Sequence, residues 1–394
     1  MFDKMQQYFN SKIAEYTTKD ENEIFAFLSD FWNVIPNTEG VIKLYASYQK
    51  SDHKDSKGND FAFFVDVRND AGDILYYPYK LGKVKIWSEY KTSFETQSIW
   101  QINVRLSEKK FRKENPFALR LANYTVGKPS VKFNDRLEKE SYIKKLFNDT
   151  GSTEKDAKTI VNALHNIMDD LYTNADDRFV YELIQNADDQ PRDGKNVTVN
   201  MQLLNKHLVF RHNGRPFDKD DIYSICDIGS STKRNSKEKI GYKGIGFKSV
   251  FTGSDTVVVN SGNYSFAFDK DSPIYNDVNV ENIPWQLKPI WQEKYRYPQE
   301  VRANEYFWKS PVCISLEIDE SVVKHYDNSI RKILSNPPFL LFLKNVNSIC
   351  YQHENNDFVV SKKTENNIVH ITQNGEIISS WTTSYFVVEI PQDV

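Results

Sequence analysis

The amino-acid sequence predicts an α+β fold, in which a mainly antiparallel β domain with flanking helices precedes a second domain of helices and β-hairpins. Short aromatic and β-branched runs with turn signals between them fill residues 41–132, which indicates strands. Two amphipathic helical patterns follow between residues 151 and 189. Beyond them, apolar and polar residues alternate on both sides of "NKH" and "SGN", which predicts two hairpins. A chain of 394 residues has room for two or three domains.

The composition is that of a globular protein. Hydrophobic residues make up 39% and aromatic residues 14%, which excludes global disorder, and the net charge of −3 gives no overall argument for a nucleic-acid partner. The three cysteines are far apart and lack a CxxC pair or a nearby histidine cluster, which indicates a reduced protein without a structural zinc site. No run approaches the roughly 18 apolar residues of a membrane span, so we expect a cytoplasmic location.

Residues 1–135 predict an accessory α+β domain, and a polar linker with a helix entry follows at residues 136–158. Within this domain, residues 80–132 carry 12 lysines and arginines against four glutamates, a local charge of +8. The aromatic residues interleaved with these cations are Trp87, Tyr90, Phe94, Trp100 and Phe111. Such a surface could bind nucleic acid or a protein ligand, with bases stacked on the aromatic rings. The alternative is a charged sheet edge over an aromatic core, which is a common guard against aggregation.

One helical pattern brings three polar side chains together. In "YELIQNADDQ", Glu182, Asn186 and Asp189 are separated by four and three positions, which places them on one face of a helix. Leu183 and Ile184 of the same segment would face a core. A solvated helix surface is the simplest explanation of the polar face. The neighbouring motifs must decide between such a surface and a functional site.

A glycine-rich segment, "IGYKGIGFKSVF", follows a polar loop. Gly241, Gly244 and Gly246 allow close backbone approach, and the helix that starts at Phe247 presents unpaired N–H groups. Helix starts of this kind attract phosphate. The segment matches neither the P-loop pattern GxxxxGK[ST] nor the dinucleotide fingerprint, which would follow a strand. A different kind of phosphate-binding segment is therefore expected.

Four motifs occur in a defined order: a helix with "ELIQNADD", a strand ending in "RHNGRPF", a polar loop with "GSSTK", and then "KIGYKGIGFKSVF". This order resembles the GHKL (Bergerat-fold) superfamily of ATPases, which includes gyrase-type topoisomerases, heat-shock chaperones, histidine kinases and MutL. The motif sequences are most similar to those of its sacsin-like branch. The resemblance covers roughly residues 157–270 and continues through "PFLLFLKNV" near Lys344. It implies a two-layer α/β sandwich at residues 159–350, with a mixed sheet and helices on one face. Residues 351–394 are then a C-terminal β extension or the start of a further domain.

The resemblance also implies roles for the site residues. Glu182 matches the general base that polarises the water attacking the terminal phosphate of ATP, and Asn186 matches the Mg²⁺ ligand. Asp189 matches an acidic residue that lines the nucleotide pocket. The segment that binds the β- and γ-phosphates comprises Gly241, Gly244, Gly246, Phe247 and Lys248. The ATP lid corresponds to residues 228–242, and the residues expected to close on the nucleotide are Ser231, Thr232 and Lys233.

The sequence departs from the family pattern at the position that recognises the base. Family members carry an aspartate there, which accepts a hydrogen bond from the adenine amino group, whereas this chain has His212, followed by Asn213 and Gly214. A neutral imidazole can accept through one nitrogen, so adenine binding is compatible with the change and base specificity is left open. The phosphate-sensing basic residue of many members has no assignable counterpart before Val394. The resemblance therefore implies a further domain or a partner protein that supplies it.

The function expected from these motifs is Mg²⁺-dependent binding and slow hydrolysis of ATP, used as a conformational switch. Lid closure would change how the flanking domains, or the two protomers of a homodimer formed through the ATPase domain, associate. A role in prokaryotic defence against phage suits such a switch. One alternative is a nucleotide sensor without hydrolysis, whose N-terminal domain recognises nucleic acid or a foreign protein. Another is a chaperone-like protein that acts on clients in an ATP-dependent manner.

Overall fold

The computed structural model divides the chain into two units. The first comprises Met1–Lys145, Asn263–Ser265 and Trp291–Arg302, and the second comprises Leu146–Gly262, Phe266–Ile290 and Ala303–Val394. The structure describes residues 29, 32, 34–76, 83–90, 99–107, 118–125, 131–172, 178–228, 245–293, 310–354 and 356–382. Among the helices of these described residues, none is both long and apolar enough to span a lipid bilayer.

The first unit contains a five-stranded antiparallel sheet with the order β3-β2-β1-β4-β5. The strands are β1 (Ile42–Lys54), β2 (Asp60–Arg68), β3 (Ile86–Glu89), β4 (Ile99–Leu106) and β5 (Leu119–Thr125). Ile42, Leu44, Ala46 and Tyr48 alternate along β1 and are buried in the core of this unit, as the two-residue period of a strand requires. The strands expected within residues 41–132 are confirmed at the runs "FAFFVDV", "KVKIWSEY" and "SIWQINVRL".

Other predictions for the first unit fall partly or wholly outside the described residues. The helices expected within residues 1–35 lie almost entirely outside them. The run "ILYYPYKL" is described only as far as Tyr76, and its residues Ile74 and Tyr76 form isolated bridges. In the basic region at residues 80–132, Tyr90 and Trp100 pack against the core and Trp87 is exposed. The remaining aromatic residues of that region, Phe94 and Phe111, lie outside the described residues.

The segment expected as a linker at residues 136–158 is mostly helical. Helix α1 (Val131–Asp149) covers its first part and α2 (Glu154–Tyr172) begins in its last part. Arg136 of α1 is buried, and its Nη2 atom lies 2.6 Å from Asp73 Oδ1 and 3.0 Å from Glu293 Oε2. The polar composition that suggested a linker therefore includes charges that are paired in the interior of the first unit.

The larger sheet has ten strands in the order β10-β9-β8-β11-β7-β6-β12-β13-β14-β15. Their bounds are β6 (Val197–Leu204), β7 (His207–His212), β8 (Thr256–Ser261), β9 (Tyr264–Asp269), β10 (Ile290–Trp291), β11 (Val312–Glu317), β12 (Val346–His353), β13 (Asn356–Glu365), β14 (Ile368–Gln373) and β15 (Glu376–Thr382). Strands β6 and β12 run parallel, whereas β6–β7, β7–β11, β8–β11 and the pairs from β12 to β15 are antiparallel. The chain is thus mixed α/β with a large, mostly antiparallel sheet. Strand β12 crosses residue 350, where the sequence placed the boundary between the α/β sandwich and the C-terminal extension.

Both predicted hairpins are confirmed. Strands β6 and β7 pair across a turn at Asn205, whose φ of 51° is left-handed. Strands β8 and β9 are neighbours in the sheet and are joined through Gly262, at a φ of 57°. Every residue of β7, β8 and β9 is buried, so these central strands are covered on both faces.

Helix α3 (Arg178–Asp188) buries the apolar face that its sequence predicts and contacts β6 and β12. Helix α4 (Lys219–Ile225) begins with a capping box formed by Asp218 and Asp221. The short helix α5 (Ile245–Lys248) and the longer α6 (Val323–Ser335) complete the helices of the second unit that the structure describes. The helix predicted at "ELIQNADD" is therefore confirmed.

Candidate functional site

A cavity lies in the second unit between α3, α4, α5 and the strands β7 and β11. Its apolar lining consists of Leu183, Phe210, Phe217, Ile225, Phe247 and Ile314. Its polar lining consists of Asn186, Gln190, His212, Asp221 and Ser224. A mostly apolar concave site with a few polar groups is the usual form of a small-molecule site. Three residues predicted from separate motifs, Asn186, His212 and Phe247, meet in this cavity.

Helix α3 supplies the first polar group of the site. Asn186 is half-buried on its inner side, one turn after Glu182. The side chain of Glu182 keeps 22% exposure, and Arg178 Nε donates to its Oε1 atom over 3.3 Å. Glu182 therefore stands beside the cavity, with its carboxylate both accessible to water and oriented by a cation on its own helix.

Gly246 of α5 brings the glycine-rich segment against Glu182. A Cβ atom at position 246 would lie 2.1 Å from Glu182 Oε2 and 2.8 Å from its Cδ atom, which is closer than real contacts allow. Glycine is therefore required for this approach of the backbone to the carboxylate. The next residue, Phe247, is buried and lines the cavity. The helix face and the glycine segment predicted from sequence are thus neighbours in the structure.

His212 ends β7 and is buried between Val199 of β6 and Val312 of β11. Its Nδ1 atom accepts a hydrogen bond from the Gly214 N–H over 3.2 Å. Burial lowers the pKa of His212 to about 4, so the imidazole is neutral at physiological pH. Because Nδ1 is the acceptor, the proton resides on Nε2, and His212 offers a hydrogen-bond donor through that atom.

The turn after β7 is tied to both neighbouring elements. Asn213 is exposed, and its Oδ1 atom accepts from Thr198 N over 2.7 Å, so this side chain closes the end of the β6–β7 hairpin rather than lining the cavity. A Cβ atom at Gly214 would lie 2.3 Å from Gln190 O and 2.8 Å from His212 Nδ1. Gly214 therefore allows Gln190 and His212 to approach each other.

Residues 157–366, which contain this cavity, match the sacsin domain family. The chain belongs to that family. It is 28% identical to Protein NO VEIN of Arabidopsis thaliana over 211 residues, which are 52% of this chain and 8% of that protein. It is 29% identical to Sacsin of Homo sapiens over 121 residues, which are 27% of this chain and 3% of that protein. The chain spans less than a tenth of either relative.

Two adjacent carboxylates at the end of α3 differ in what they contact in this sacsin domain. Asp189, predicted to line the pocket, is exposed and is not part of the cavity lining. Asp188 is buried instead, and its carboxylate accepts from the backbone N–H groups of Lys344, Asn345 and Val346 over 2.6–2.8 Å. Asp188 therefore fixes the start of β12 to the end of α3.

Lys248, predicted as part of the phosphate-binding segment, has a buried ammonium group. Its Nζ atom donates to the carbonyl oxygen of Ile225, at the C-terminal end of α4. Burial lowers the pKa of Lys248 to about 8. In this structure the side chain thus links α5 to α4 and does not line the cavity.

Five predicted residues of the sacsin domain lie outside the described residues: Ser231, Thr232, Lys233, Gly241 and Gly244. Conversely, the cavity contains polar residues that sequence reasoning missed, namely Gln190, Asp221 and Ser224. Gln190 follows Asn186 by four positions, but α3 ends at Asp188, so the helical period does not extend to Gln190. The described residues contain no group of three His, Cys, Asp or Glu side chains that could hold a metal ion. Asn186 is the residue at this site that could contribute to one.

Proposed function

We propose that the sacsin domain of this chain binds ATP together with Mg²⁺ and hydrolyses it slowly, with the two-layer sandwich of a GHKL ATPase. The observation that carries the proposal is the meeting of three motifs around one cavity. Glu182 lies against Gly246, and Asn186, His212 and Phe247 line the adjoining space. Polar and glycine-rich motifs that are far apart in sequence and meet at one concave pocket are candidates for a shared ligand site.

In this proposal the apolar part of the cavity holds the nucleobase. Phe210, Phe247 and Ile314 provide flat and branched surfaces against which a purine ring can pack. Gln190 and His212 lie in the same space and provide polar groups for its edge. A few polar groups in an apolar pocket determine orientation and specificity.

Asn186 would hold Mg²⁺ at the mouth of this pocket. The amide oxygen is a neutral, hard ligand, and Mg²⁺ in nucleotide sites keeps several waters and takes phosphate oxygens as further ligands. One protein ligand is therefore enough for the ion. When bound, Mg²⁺ neutralises charge on the phosphates.

Glu182 would act as the general base. Its carboxylate can accept a proton from a water molecule, and Arg178 Nε holds the Oε1 atom while Oε2 lies against Gly246. The absence of a side chain at Gly246 leaves room for the carboxylate in this position. The contact with Arg178 favours one orientation of the base toward its water.

The test is calorimetric titration of the full chain with ATP, with and without Mg²⁺, together with a phosphate-release assay. Glu182→Gln keeps the size of the side chain beside Gly246 but cannot accept a proton. We expect turnover to fall by a factor of roughly 100 or more, while the affinity for the nucleotide stays nearly unchanged. Asn186→Ala is expected to lower the affinity in Mg²⁺ to the value measured in a chelator.

Gln185→Ala serves as the control, because Gln185 is an exposed residue of the same helix. Gln185→Ala should change neither the affinity for ATP nor the rate of phosphate release. Absence of ATP binding in the wild-type chain would reject the proposal. Undiminished turnover in Glu182→Gln would reject only the assignment of the base.

The first unit favours a second function, the recognition of nucleic acid. Trp87 is 53% exposed on β3, directly opposite Phe63 of β2. Exposed aromatic rings on a sheet are surfaces on which bases stack. We expect single-stranded nucleic acid to bind the full chain more weakly as salt rises, and Trp87→Ala to weaken that binding roughly tenfold. No binding at low salt would remove this function.

A further inference from the structure

Gln190 is a buried polar residue whose side-chain oxygen accepts no hydrogen bond from the residues that the structure describes. Its side chain lines the cavity and only 5% of the residue is exposed. The Oε1 atom is buried and has no hydrogen-bond partner among the residues that the structure describes. An amide oxygen left unpaired in the interior destabilises a protein, so such an atom calls for a partner, and a ligand in the cavity can supply one.

The backbone around Gln190 is fixed, which gives the side chain a defined starting point. Its carbonyl oxygen accepts from Arg215 N over 2.9 Å, and its own N–H donates to Ala187 O over 3.1 Å. Gly214 lies against both Gln190 O and His212 Nδ1, where no larger residue fits. Gln190 and His212 are thus held together at one wall of the cavity.

The two side chains have complementary hydrogen-bonding capacity. Nδ1 of His212 is occupied by the Gly214 N–H, so Nε2–H is the group that His212 can offer to a ligand. Gln190 offers the free acceptor Oε1. The wall therefore includes a donor, His212 Nε2–H, and an acceptor, Gln190 Oε1, both uncharged.

We propose that Gln190 and His212 together recognise the Watson–Crick edge of adenine: Gln190 Oε1 accepts from the 6-amino group, and His212 Nε2–H donates to the ring nitrogen N1. The inference rests on the proposed function and specifies which nucleobase the cavity recognises. The acceptor for the amino group is thereby moved from position 212, where an aspartate is expected, to position 190 on α3. His212 contributes a donor instead.

The test compares nucleotides that differ by single groups, each titrated with Mg²⁺ into the full chain. Purine riboside triphosphate lacks the 6-amino group, and 1-deaza-ATP lacks the N1 acceptor. Loss of one hydrogen bond to a buried partner is expected to weaken binding roughly tenfold for each analogue relative to ATP. GTP presents an acceptor where adenine has its amino group and is expected to bind more weakly than ATP.

Variants then assign the contacts. Gln190→Leu should bind ATP and purine riboside triphosphate equally, while it still distinguishes ATP from 1-deaza-ATP. Because the substitution removes an unpaired buried oxygen, the thermal midpoint of the nucleotide-free variant should be equal to or higher than that of the wild type; a purely structural role of Gln190 predicts a lower one. Gln185→Leu, an exposed change on the same helix, should leave all affinities unchanged.

The outcomes separate this inference from the proposed function. If the wild-type chain binds ATP but also binds purine riboside triphosphate or GTP as tightly, the base assignment is wrong and ATP binding stands. If Gln190→Leu keeps the preference for ATP over purine riboside triphosphate, Gln190 is not the acceptor. If the wild-type chain binds no ATP, both proposals fail. The wild-type comparison needs no variant, so a misfolded Gln190→Leu does not prevent a decision.

Discussion

Gly246 shows how a single residue without a side chain can control a site. The Glu182 carboxylate occupies the space where a Cβ atom of residue 246 would lie. In Gly246→Ala, the flexible end of Glu182 must swing away, which costs little stability because its atoms are partly exposed. We expect turnover to fall roughly 100-fold at a nearly unchanged thermal midpoint, measured by phosphate release and calorimetry. Turnover equal to that of the wild type would show that the position of the carboxylate is unimportant.

His212 makes stability depend on pH. Its pKa is lowered to about 4 by burial, whereas an exposed histidine in the unfolded chain has a pKa near 6.5. The unfolded state therefore binds more protons in this window, and the free energy of unfolding falls as pH decreases from about 6.5 to about 4. The loss attributable to this residue is roughly 3 kcal/mol at most.

Urea unfolding of the wild type and of His212→Gln between pH 4 and 7 measures this contribution. The variant carries no titrating group at position 212, so its stability should decrease less steeply over the same range. Parallel curves for the two proteins would contradict the neutral, buried state of His212.

At the level of residues, motifs that sequence singled out are neighbours in the structure, and their roles stay predictions. Glu182 lies against Gly246, and Asn186 and Phe247 line one cavity. The exception is the last turn of α3, where Asp188, rather than Asp189, is buried. The helix ends at Asp188, so the 3.6-residue period no longer determines the direction of the next side chain.

Among the secondary-structure elements, the junction between α3 and β12 depends on Asp188. Its carboxylate accepts three backbone N–H groups, from Lys344, Asn345 and Val346. Asp188→Asn replaces one acceptor oxygen by an amide N–H₂ group that faces those donors. We expect a loss of about 3 kcal/mol in the free energy of unfolding, since hydrogen bonds to a buried charged group are among the stronger ones.

The neighbouring residue gives a matched control for this prediction. Asp189→Asn makes the same chemical change at an exposed position and should alter stability by less than about 0.5 kcal/mol. Urea denaturation of both variants at one pH measures the difference. Equal stabilities for Asp188→Asn and Asp189→Asn would show that the junction does not depend on the carboxylate.

Sequence predicted the two hairpins, whose strands are near in the chain, but did not reveal the buried ion pair of α1, whose partner is distant. The two hairpins follow from alternation and a turn residue within one short segment. Helix α1 covers most of the segment expected as a polar linker, and its composition alone did not show that Arg136 is buried. Its partner Glu293 is 157 positions away, a separation that no local pattern reveals.

For the whole molecule, nucleotide should protect one unit and leave the other unchanged. The cavity lies within the second unit, so ATP bound there as proposed would stabilise only conformations in which that unit is folded. Hydrogen exchange followed by mass spectrometry should show slower exchange in α3, β7 and α5 on addition of Mg²⁺ and ATP. The strands β1 to β5 should exchange at the same rate with and without nucleotide. In Asn186→Ala, Mg²⁺ should add no protection beyond that given by ATP in a chelator. Equal protection of β1 to β5 would contradict a ligand confined to the second unit.

The parallel pairing of β6 with β12 has a consequence for the order in which the protein folds during synthesis. Val346, at the start of β12, bonds to Asp188 from a point 158 positions later in the chain. Until the ribosome has released that residue, the edge of β6 that β12 later covers is an unpaired strand edge, the kind of surface at which chains aggregate. Such distant contacts also slow folding. The edge of β6 therefore stays unpaired while the ribosome adds more than 100 further residues. During this interval a chaperone could protect the nascent chain from aggregation.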